Sequence, residues 1–493
     1  MAGMESYYSL LGITNEATPE EIRRAYREAA LRLHPDKNVR PGDTERFLEV
    51  SKAYEVLIDS KSRAEYDEQL QTQAAGETQA KPALVCQVMH SRRWLLQLGE
   101  PQVHYILLDI HPGKDLPEVR PPINLGIVID RSTSMQGQRL DQVRSATLGI
   151  LKGLDPRDTA SIVAFSDRAE VVVSPAQAKD FAVARARLSL LQAGGGTELG
   201  QGLETGLKQL QASFTREGVN QLILLTDGRT YGDEELCLKI AEHASAHGIT
   251  IHGMGIGADW SDRLIDQIAS LTGGAVHFLE NPRSVGEFLQ AVFEKMGRVL
   301  ASRVRLDGQL SEHVDLRSAL RLLPEPMPMV DSFPISLGNL TREGQIRLLL
   351  EFVVHPIGQL TELDLAQLQV TADILSAHSE TETVELQLRC TVSDQPDLEP
   401  PPTEILSALN IDILYRMQEK ARHDAELGQS AEAARRLENL ASHLLASGER
   451  ELAKAALNEA ARVAHTRRLS NQGEKMLKYG TRALLLPAPV DRP

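Results

Sequence analysis

Three short stretches place oxygen-bearing side chains where an α/β sheet builds its binding sites. Ile123–Asp130 is an apolar run that ends in a carboxylate, and two hydroxyls, Ser132 and Ser134, follow at alternate positions. Gly194-Gly195-Gly196-Thr197 offers a third hydroxyl on a permissive backbone, and the apolar run Leu222–Leu225 leads through Thr226 into Asp227 and Gly228. Buried strands of this kind deliver polar groups to the carboxyl edge of their sheet. All the donors are oxygens, and the spacing assigns no histidine or further carboxylate to the role of general base. Chemistry of a different sort is offered by His34-Pro35-Asp36, where a proline ends a basic amphipathic helix and holds a carboxylate on a stiff turn.

Asp130-x-Ser132-x-Ser134, Thr197 and Asp227, in that order, resemble the metal-ion-dependent adhesion site of von Willebrand factor type A domains. Thr272-Gly-Gly-Ala-Val-His-Phe278 and Gly253-Met-Gly-Ile-Gly-Ala-Asp259 are similar to text of the same family. The resemblance implies that the adhesion site is intact, with Ser132, Ser134 and Thr197 as neutral hydroxyl ligands and Asp130 and Asp227 acting largely through water or hydrogen bonds. A hard cation, Mg²⁺ or else Mn²⁺ or Ca²⁺, takes oxygen ligands of this type. With few anionic ligands it keeps net positive charge and an open position that suits a carboxylate, Asp or Glu, from a partner protein. Without the resemblance, serines after a strand are also helix caps. Asp233, near the site, reads as the cap of the following helix. Gly253-x-Gly-x-Gly257 lacks the dinucleotide-binding register, and reads as a loop.

The first seventy residues carry a second resemblance. Thr18-Pro19-Glu20-Glu21 is a helix start, and Ile22, Ala25, Tyr26, Ala29, Ala30 and Leu33 recur at helical spacing. Phe47, Val50, Ala53, Tyr54 and Leu57 mark a second helix, so the segment reads as a helical hairpin. Tyr7-Tyr8-x-Leu-Leu-Gly12, Ile22-Arg-Arg-Ala-Tyr-Arg27, Leu33-His-Pro-Asp-Lys-Asn38, Ala53-Tyr-Glu-Val-Leu57 and Arg63-x-x-Tyr66-Asp67 resemble the J-domain of the DnaJ family. The resemblance implies that His34, Pro35 and Asp36 stimulate ATP hydrolysis by a DnaK-type, seventy-kilodalton heat-shock chaperone. Arg23, Arg24 and Arg27 would dock its acidic surface; taken alone they are a solvated helix face. Neither a Gly/Phe-rich segment nor Cys-x-x-Cys-x-Gly repeats follow. His34, Asp36 and Ser132 are residue types of a catalytic triad, but nothing in the sequence brings Ser132 to that turn.

These residues need several folding units to hold them. The expected organisation is a multidomain chain: an α-helical J-domain over 1–70, a linker over 71–82, first strands of an antiparallel β-sandwich over 83–120, and an inserted α/β type A domain over 121–299 with a Rossmann-like, mainly parallel sheet. The rest of the sandwich follows over 300–395, then a C-terminal helical domain over 400–485 and a disordered tail over 486–493. Two separate small β pieces are the alternative to a sandwich. The last type A helix is expected over Val285–Val299. In the C-terminal region Gly-x-Ser-x-Glu-Ala-Ala and Gly-x-Arg-Glu-Leu-Ala-Lys-Ala-Ala are similar to helical-hairpin repeats at about half the tetratricopeptide period. This region reads either as a packed bundle supporting the sandwich or as a partner surface.

The 68 acidic residues outnumber the 53 basic ones, which disfavours nucleic acid and anionic membrane as partners. No apolar run reaches the roughly 20 residues of a membrane span, and the first residues lack a signal-peptide pattern, so a cytoplasmic location is expected. Cys86, Cys237 and Cys390 form no zinc spacing and read as buried small hydrophobes. No Gly-x-x-x-x-Gly-Lys-Ser/Thr motif is present, so no ATPase of its own is expected. The reading is a non-enzymatic co-chaperone or adaptor that binds a protein client bearing an exposed Asp or Glu. A metal-dependent hydrolase using the same oxygens, and a static scaffold that recruits a chaperone to a complex, are the alternatives.

Overall fold

A computed structural model divides the chain into two units, Met1–Pro82 and Ala83–Pro493. The residues described are 7–11, 13, 17–33, 43–59, 62, 63, 66 and 82 of the first, and 83–484 of the second except 115, 117, 118, 176–179, 231, 376–379 and 398.

The first unit holds α1 (Tyr7–Leu11), α2 (Pro19–Leu33) and α3 (Asp43–Ile58). Thr18 and Glu21 start α2 reciprocally: the Glu21 carboxylate accepts from Thr18 N at 2.7 Å and Thr18 Oγ1 accepts from Glu21 N at 3.4 Å. Ile22, Ala29, Val50, Ala53 and Leu57 then pack with Tyr8 and Leu11 into one core. Tyr26 stacks on Tyr54 with ring centres 4.2 Å apart, and Tyr66 stacks on Tyr7 at 4.4 Å. Arg23, Arg24 and Arg27 lie on the exposed face of α2. His34, Pro35 and Asp36 lie outside the described residues, as do residues 71–81 of the expected linker and the whole of 486–493.

The second unit opens with β1 (Leu84–His90), β2 (Trp94–Leu96) and β3 (Gln102–Pro112). An α/β segment then runs through β4 (Ile123–Asp130), α4 (Gln138–Lys152), β5 (Thr159–Phe165), β6 (Ala169–Val173), α5 (Phe181–Ser189), α6 (Leu199–Ala212) and β7 (Val219–Thr226). It continues as α7 (Glu234–Ala246), β8 (Thr250–Ile256), α8 (Asp262–Thr272), β9 (Val276–Leu279) and α9 (Val285–Met296). Its six strands lie in the order β6-β5-β4-β7-β8-β9, parallel except for β6. Period-two alternation sorts the strand residues: Val128, Leu222 and Leu224 face α6 and α7, while Ile127, Ile129, Ile223 and Leu225 face α4 and α9.

The chain returns with β10 (Val299–Leu310), β11 (Val314–Leu323), β12 (Met327–Pro328), β13 (Ile335–Thr341), β14 (Ile346–Val354), β15 (Glu362–Ile374) and β16 (Glu380–Ser393). Two five-stranded sheets result, β1-β3-β14-β11-β12 and β13-β10-β15-β16-β2, with Ile106, Leu108 and Ile110 from the first and Leu306, Leu365 and Leu388 from the second in one core. The α/β segment leaves after β3 and rejoins at β10. Its ends meet, for Arg120 Nε lies 3.5 Å from where a Cβ on Gly297 would stand. The helix expected to reach Val299 therefore stops at Met296. Gly297 follows as its C-cap, and Val299 already pairs with Thr341 of the sandwich.

Gly273 of the α/β segment and Gly338 of the sandwich touch backbone to backbone, both with positive φ (71° and 84°). No side chain fits between them. The buried Arg321 seals the same contact by donating to Gly273 O at 2.8 Å, to Gly274 O and to Leu337 O at 3.3 Å.

The C-terminal helices are α10 (Thr403–Glu426), α11 (Ser430–Ala446), α12 (Arg450–Thr466) and α13 (Asn471–Ala483). They close on themselves, because α13 packs against α10 as well as α12. A helical-hairpin repeat would leave its first and last helices apart, so this correction follows from the closed ring. The bundle supports more than the sandwich. Ile405 and Ala408 sit on Leu107, Leu320, Leu322 and Leu349, while Arg422, Lys475, Lys478 and Arg482 grip α8 and the turn before it. Among the described residues no helix is long and apolar enough to cross a membrane.

Candidate functional site

The strand order places the site. From β4 the chain moves to β5 on one side, and it later inserts β7 on the other side of β4. Loops that leave the carboxyl ends of β4 and β7 diverge there and open a crevice, the switch point at which open α/β sheets bind ligands. Asp130 ends β4 and Asp227 follows β7, so both carboxylates reach that crevice.

Asp130 is fully buried and its two oxygens are both engaged: Oδ1 accepts from Ser132 N at 2.8 Å and Oδ2 from Thr226 Oγ1 at 2.7 Å. Burial raises the pKa of this carboxyl above the ordinary range, with the Asp227 charge adding to it and the hydrogen bonds from Ser132 and Thr226 opposing. Ser134 donates its hydroxyl to Asp227 Oδ1 at 2.6 Å, and its oxygen stands 3.0 Å from Ser132 Oγ. Arg139 pairs with Asp227 Oδ2 and also donates to Ser134 O at 3.2 Å. Ser134 is exposed, whereas Ser132 and Asp227 are buried, so the constellation opens to solvent on the serine side. Ser132 makes no side-chain capping bond, and the N-cap of α4 is Gly137.

Thr197 arrives on the glycine loop. Gly195 has φ of 91°, a left-handed backbone, and its carbonyl accepts from Thr133 N at 3.2 Å. Asp167, just after β5, accepts from Gly196 N at 2.8 Å and holds the loop down. Thr197 Oγ1 lies 3.0 Å, and Asp130 Oδ2 3.6 Å, from the point a Cβ on Gly228 would occupy, so the glycine keeps that space clear beside both. The structure thus brings Asp130, Ser132, Ser134, Thr197 and Asp227 together.

The donor set fits a hard divalent cation. Octahedral Mg²⁺ with bonds of about 2.1 Å puts neighbouring ligand oxygens about 3.0 Å apart, and the two serine oxygens have that separation. Because Ser134 gives its proton to Asp227, its lone pairs remain available on the other side. Ser132, Ser134 and Thr197 would hold the ion, and Asp130 and Asp227 would act through hydrogen bonds.

Three residues were not singled out by the sequence. Thr226 and Arg139 act on the two carboxylates, and Asp167 fixes the loop. Thr226 has a sequence signal, as the last strand residue before Asp227; an arginine nine positions after Asp130 has none. Asp233 is a correction. It stands at the N-cap of α7 but makes no side-chain cap there; its carboxylate instead accepts from Gly200 N at 2.7 Å, at the start of α6, and from Thr230 Oγ1. The first turn of α7 already carries Glu234 and Glu235. His252 and His277 lie away from the site. They line a cavity of about 140 Å³ with Gln221, Arg321 and Glu325, against the sandwich.

Comparison with known proteins finds three matching families. The family model of the DnaJ domain matches residues 6–67, that of the von Willebrand factor type A domain residues 124–291, and that of the Sll0103-like C-terminal alpha-helical domain residues 403–487. Type A domains typically bind a divalent metal at their metal-ion-dependent adhesion site. Protein sll0103 of Synechocystis is 31% identical over 256 residues, which are 49% of this chain and 61% of that protein. The chaperone protein DnaJ of Methanosarcina thermophila is 51% identical over 67 residues, 14% of this chain and 17% of that one. The chain thus spans less than two thirds of the length of either relative. Among solved structures, a von Willebrand factor type A protein from Catenulispora acidiphila superimposes with a TM-score of 0.66 at 17% identity, covering 82% of this chain and 97% of that one. The ArnB paralog VWA2 of Sulfolobus acidocaldarius gives 0.53 at 14% identity, covering 82% and 98%. These two likenesses concern the fold. One polypeptide here joins a DnaJ domain, a von Willebrand factor type A domain and a Sll0103-type C-terminal helical domain.

Proposed function

We propose that this protein is a non-enzymatic co-chaperone that holds a protein client at the type A site and stimulates a DnaK-type ATPase through its J-domain. The presence of a DnaJ domain supports a co-chaperone role and that of a type A domain supports protein interaction. The observation that carries the finer reading is the state of the two carboxylates. Each Asp130 oxygen is held by a donor, Ser132 or Thr226, and each Asp227 oxygen by Ser134 or Arg139, so neither carboxylate is free to turn toward an attacking water. That arrangement favours gripping over hydrolysis.

A Mg²⁺ ion, when bound, supplies an electrophilic centre that a partner carboxylate can complete. The chain's own residues do the rest. Ser132, Ser134 and Thr197 present neutral oxygens, Asp130 orients the Ser132 backbone, and Arg139 holds the Asp227 side chain in place. The exposed arginine face of α2 would steer the acidic surface of the ATPase toward His34-Pro35-Asp36.

Two measurements test this. Single-turnover ATP hydrolysis by a DnaK-type chaperone should rise with the full chain and not with its Asp36→Asn variant; equal stimulation by both would remove the J-domain half. Affinity capture in Mg²⁺ should retain proteins that are released by chelator and absent with Asp130→Ala. Capture indifferent to both would remove the metal half.

A further inference from the structure

The two sheets of the sandwich meet at a cluster unlike the type A site. His90 ends β1 and His104 lies on β3, in one sheet, and Cys390 lies on β16 in the other. His90 Nδ1 and His104 Nε2 are 3.1 Å apart, and Cys390 Sγ is 3.4 Å from the first and 3.6 Å from the second. His104 and Cys390 are buried and His90 is half-buried.

We infer that His90, His104 and Cys390 form a zinc site that ties the two sheets of the sandwich together. Tetrahedral zinc with Zn–N bonds of about 2.05 Å and Zn–S bonds of about 2.3 Å separates two nitrogens by about 3.3 Å and a nitrogen from sulfur by about 3.6 Å. Every edge of the observed triangle matches these to within about 0.3 Å. Hydrogen bonds alone satisfy the cluster poorly. One nitrogen must accept if the other donates, so at most two protons serve three edges, whereas a central cation is bound by all three lone pairs. Two imidazoles and a thiolate select a borderline-soft ion such as Zn²⁺ over Mg²⁺, the reverse of the all-oxygen type A site. Binding replaces the thiol proton, which is released to solvent. Three protein ligands leave the fourth tetrahedral position to water, on the half-buried His90 side.

The surroundings define the kind of site. His104 Nδ1 is buried without a partner among the described residues, so packing rather than a supporting carboxylate orients the ring. Arg92, the charged neighbour of His104, is exposed and screened by solvent. The ligands come from both sheets, so a bound ion would add a tie between them beside the one that the Leu84 amide of β1 makes by donating to Glu382 Oε1 of β16 at 3.1 Å.

The test uses the untagged full chain, loaded with ZnCl₂, desalted and assayed for metal by mass spectrometry, with Co²⁺ as a spectroscopic probe. Wild type and Asp130→Ala should each retain about one zinc per chain and give a tetrahedral cobalt spectrum with a thiolate charge-transfer band. Cys390→Ser and His104→Gln should lose both. His90→Gln, at the half-buried edge, should weaken zinc by at least about tenfold while near-UV circular dichroism stays native. It decides the matter if the buried variants do not fold. A folded wild-type chain that retains no zinc, or zinc content unchanged in folded His90→Gln and Cys390→Ser, overturns the site; loss in Asp130→Ala alone assigns the zinc to the type A site and overturns it equally.

Discussion

Thr226 donates its hydroxyl to Asp130 Oδ2 at 2.7 Å, joining the carboxyl ends of two parallel strands across the point where the sheet's connections diverge. The bond keeps a buried carboxylate in place without spending a metal ligand on it. Thr226→Val preserves shape and leaves that oxygen without a donor. It should cost about 1.5–3 kcal/mol of stability, measured by urea unfolding, and weaken Mg²⁺ binding in calorimetry. Unchanged values in both would show that Asp130 needs no such tether.

Gly195 tests the loop that brings Thr197 to the site. A Cβ there would stand 2.5 Å from Asp167 Oδ2 and 3.1 Å from Ser166 Oγ, on a backbone with φ of 91°. Gly195→Ala should cost about 1–2 kcal/mol from backbone strain alone. It should also lower Mg²⁺ affinity although no ligand is altered. Isothermal titration on the folded variant reads the second effect separately from the first.

Asp262 anchors the C-terminal bundle to the type A domain. Arg422 Nη1 lies 2.8 Å from its Oδ2, Lys478 reaches the same oxygen, and Lys478 and Arg422 are only 2% and 6% exposed. Asp262→Ala takes one carboxylate from two buried cations, leaving Lys478 with Asp266 and Arg422 with Glu474, and should destabilise by about 1.5–3 kcal/mol. Asp262→Ala combined with Lys478→Met should recover part of that loss, because the buried ammonium that lost one of its two carboxylates has gone. Chemical denaturation of the three chains gives the comparison, and additive losses would disprove the coupling.

The same cluster predicts an acid limit. Burial raises the Asp262 and Asp266 carboxyls, but the attraction of Lys478 and Arg422 for the first, and of Arg482 and Lys478 for the second, outweighs it and holds both below the usual range. Groups depressed in the folded state contribute stability that is complete above the unfolded value of about 3.9 and is lost as pH falls through the lower folded values. Unfolding free energy should therefore drop below about pH 4. Asp262→Asn should flatten that slope; an unaltered slope would place the acid sensitivity elsewhere.

Much of the type A site was legible because its signals are local. A continuous apolar strand delivers whatever stands at its end, Asp130 or Asp227, to the sheet's carboxyl edge whatever the rest of the chain does. The same holds for Thr18 and Glu21 at the start of α2, where the cap needs only its own next residues. Asp233 was misread for a related reason. Its position is that of a cap, but a side chain chooses among all nearby donors, and the Gly200 amide from another helix is closer to its need.

The sequence by itself determined the two motif-bearing domains, the positions of the five oxygen-bearing residues, and the order of helices and strands, since caps, periodicities and strand ends are properties of neighbouring residues. Only the tertiary structure decided that Arg139 and Thr226 hold the carboxylates, that the C-terminal helices close into a ring and clamp α8, and that Cys390 stands beside two histidines. His104 and Cys390 are 286 positions apart. No spacing rule spans such a distance, because it depends on how two sheets stack rather than on how one segment coils.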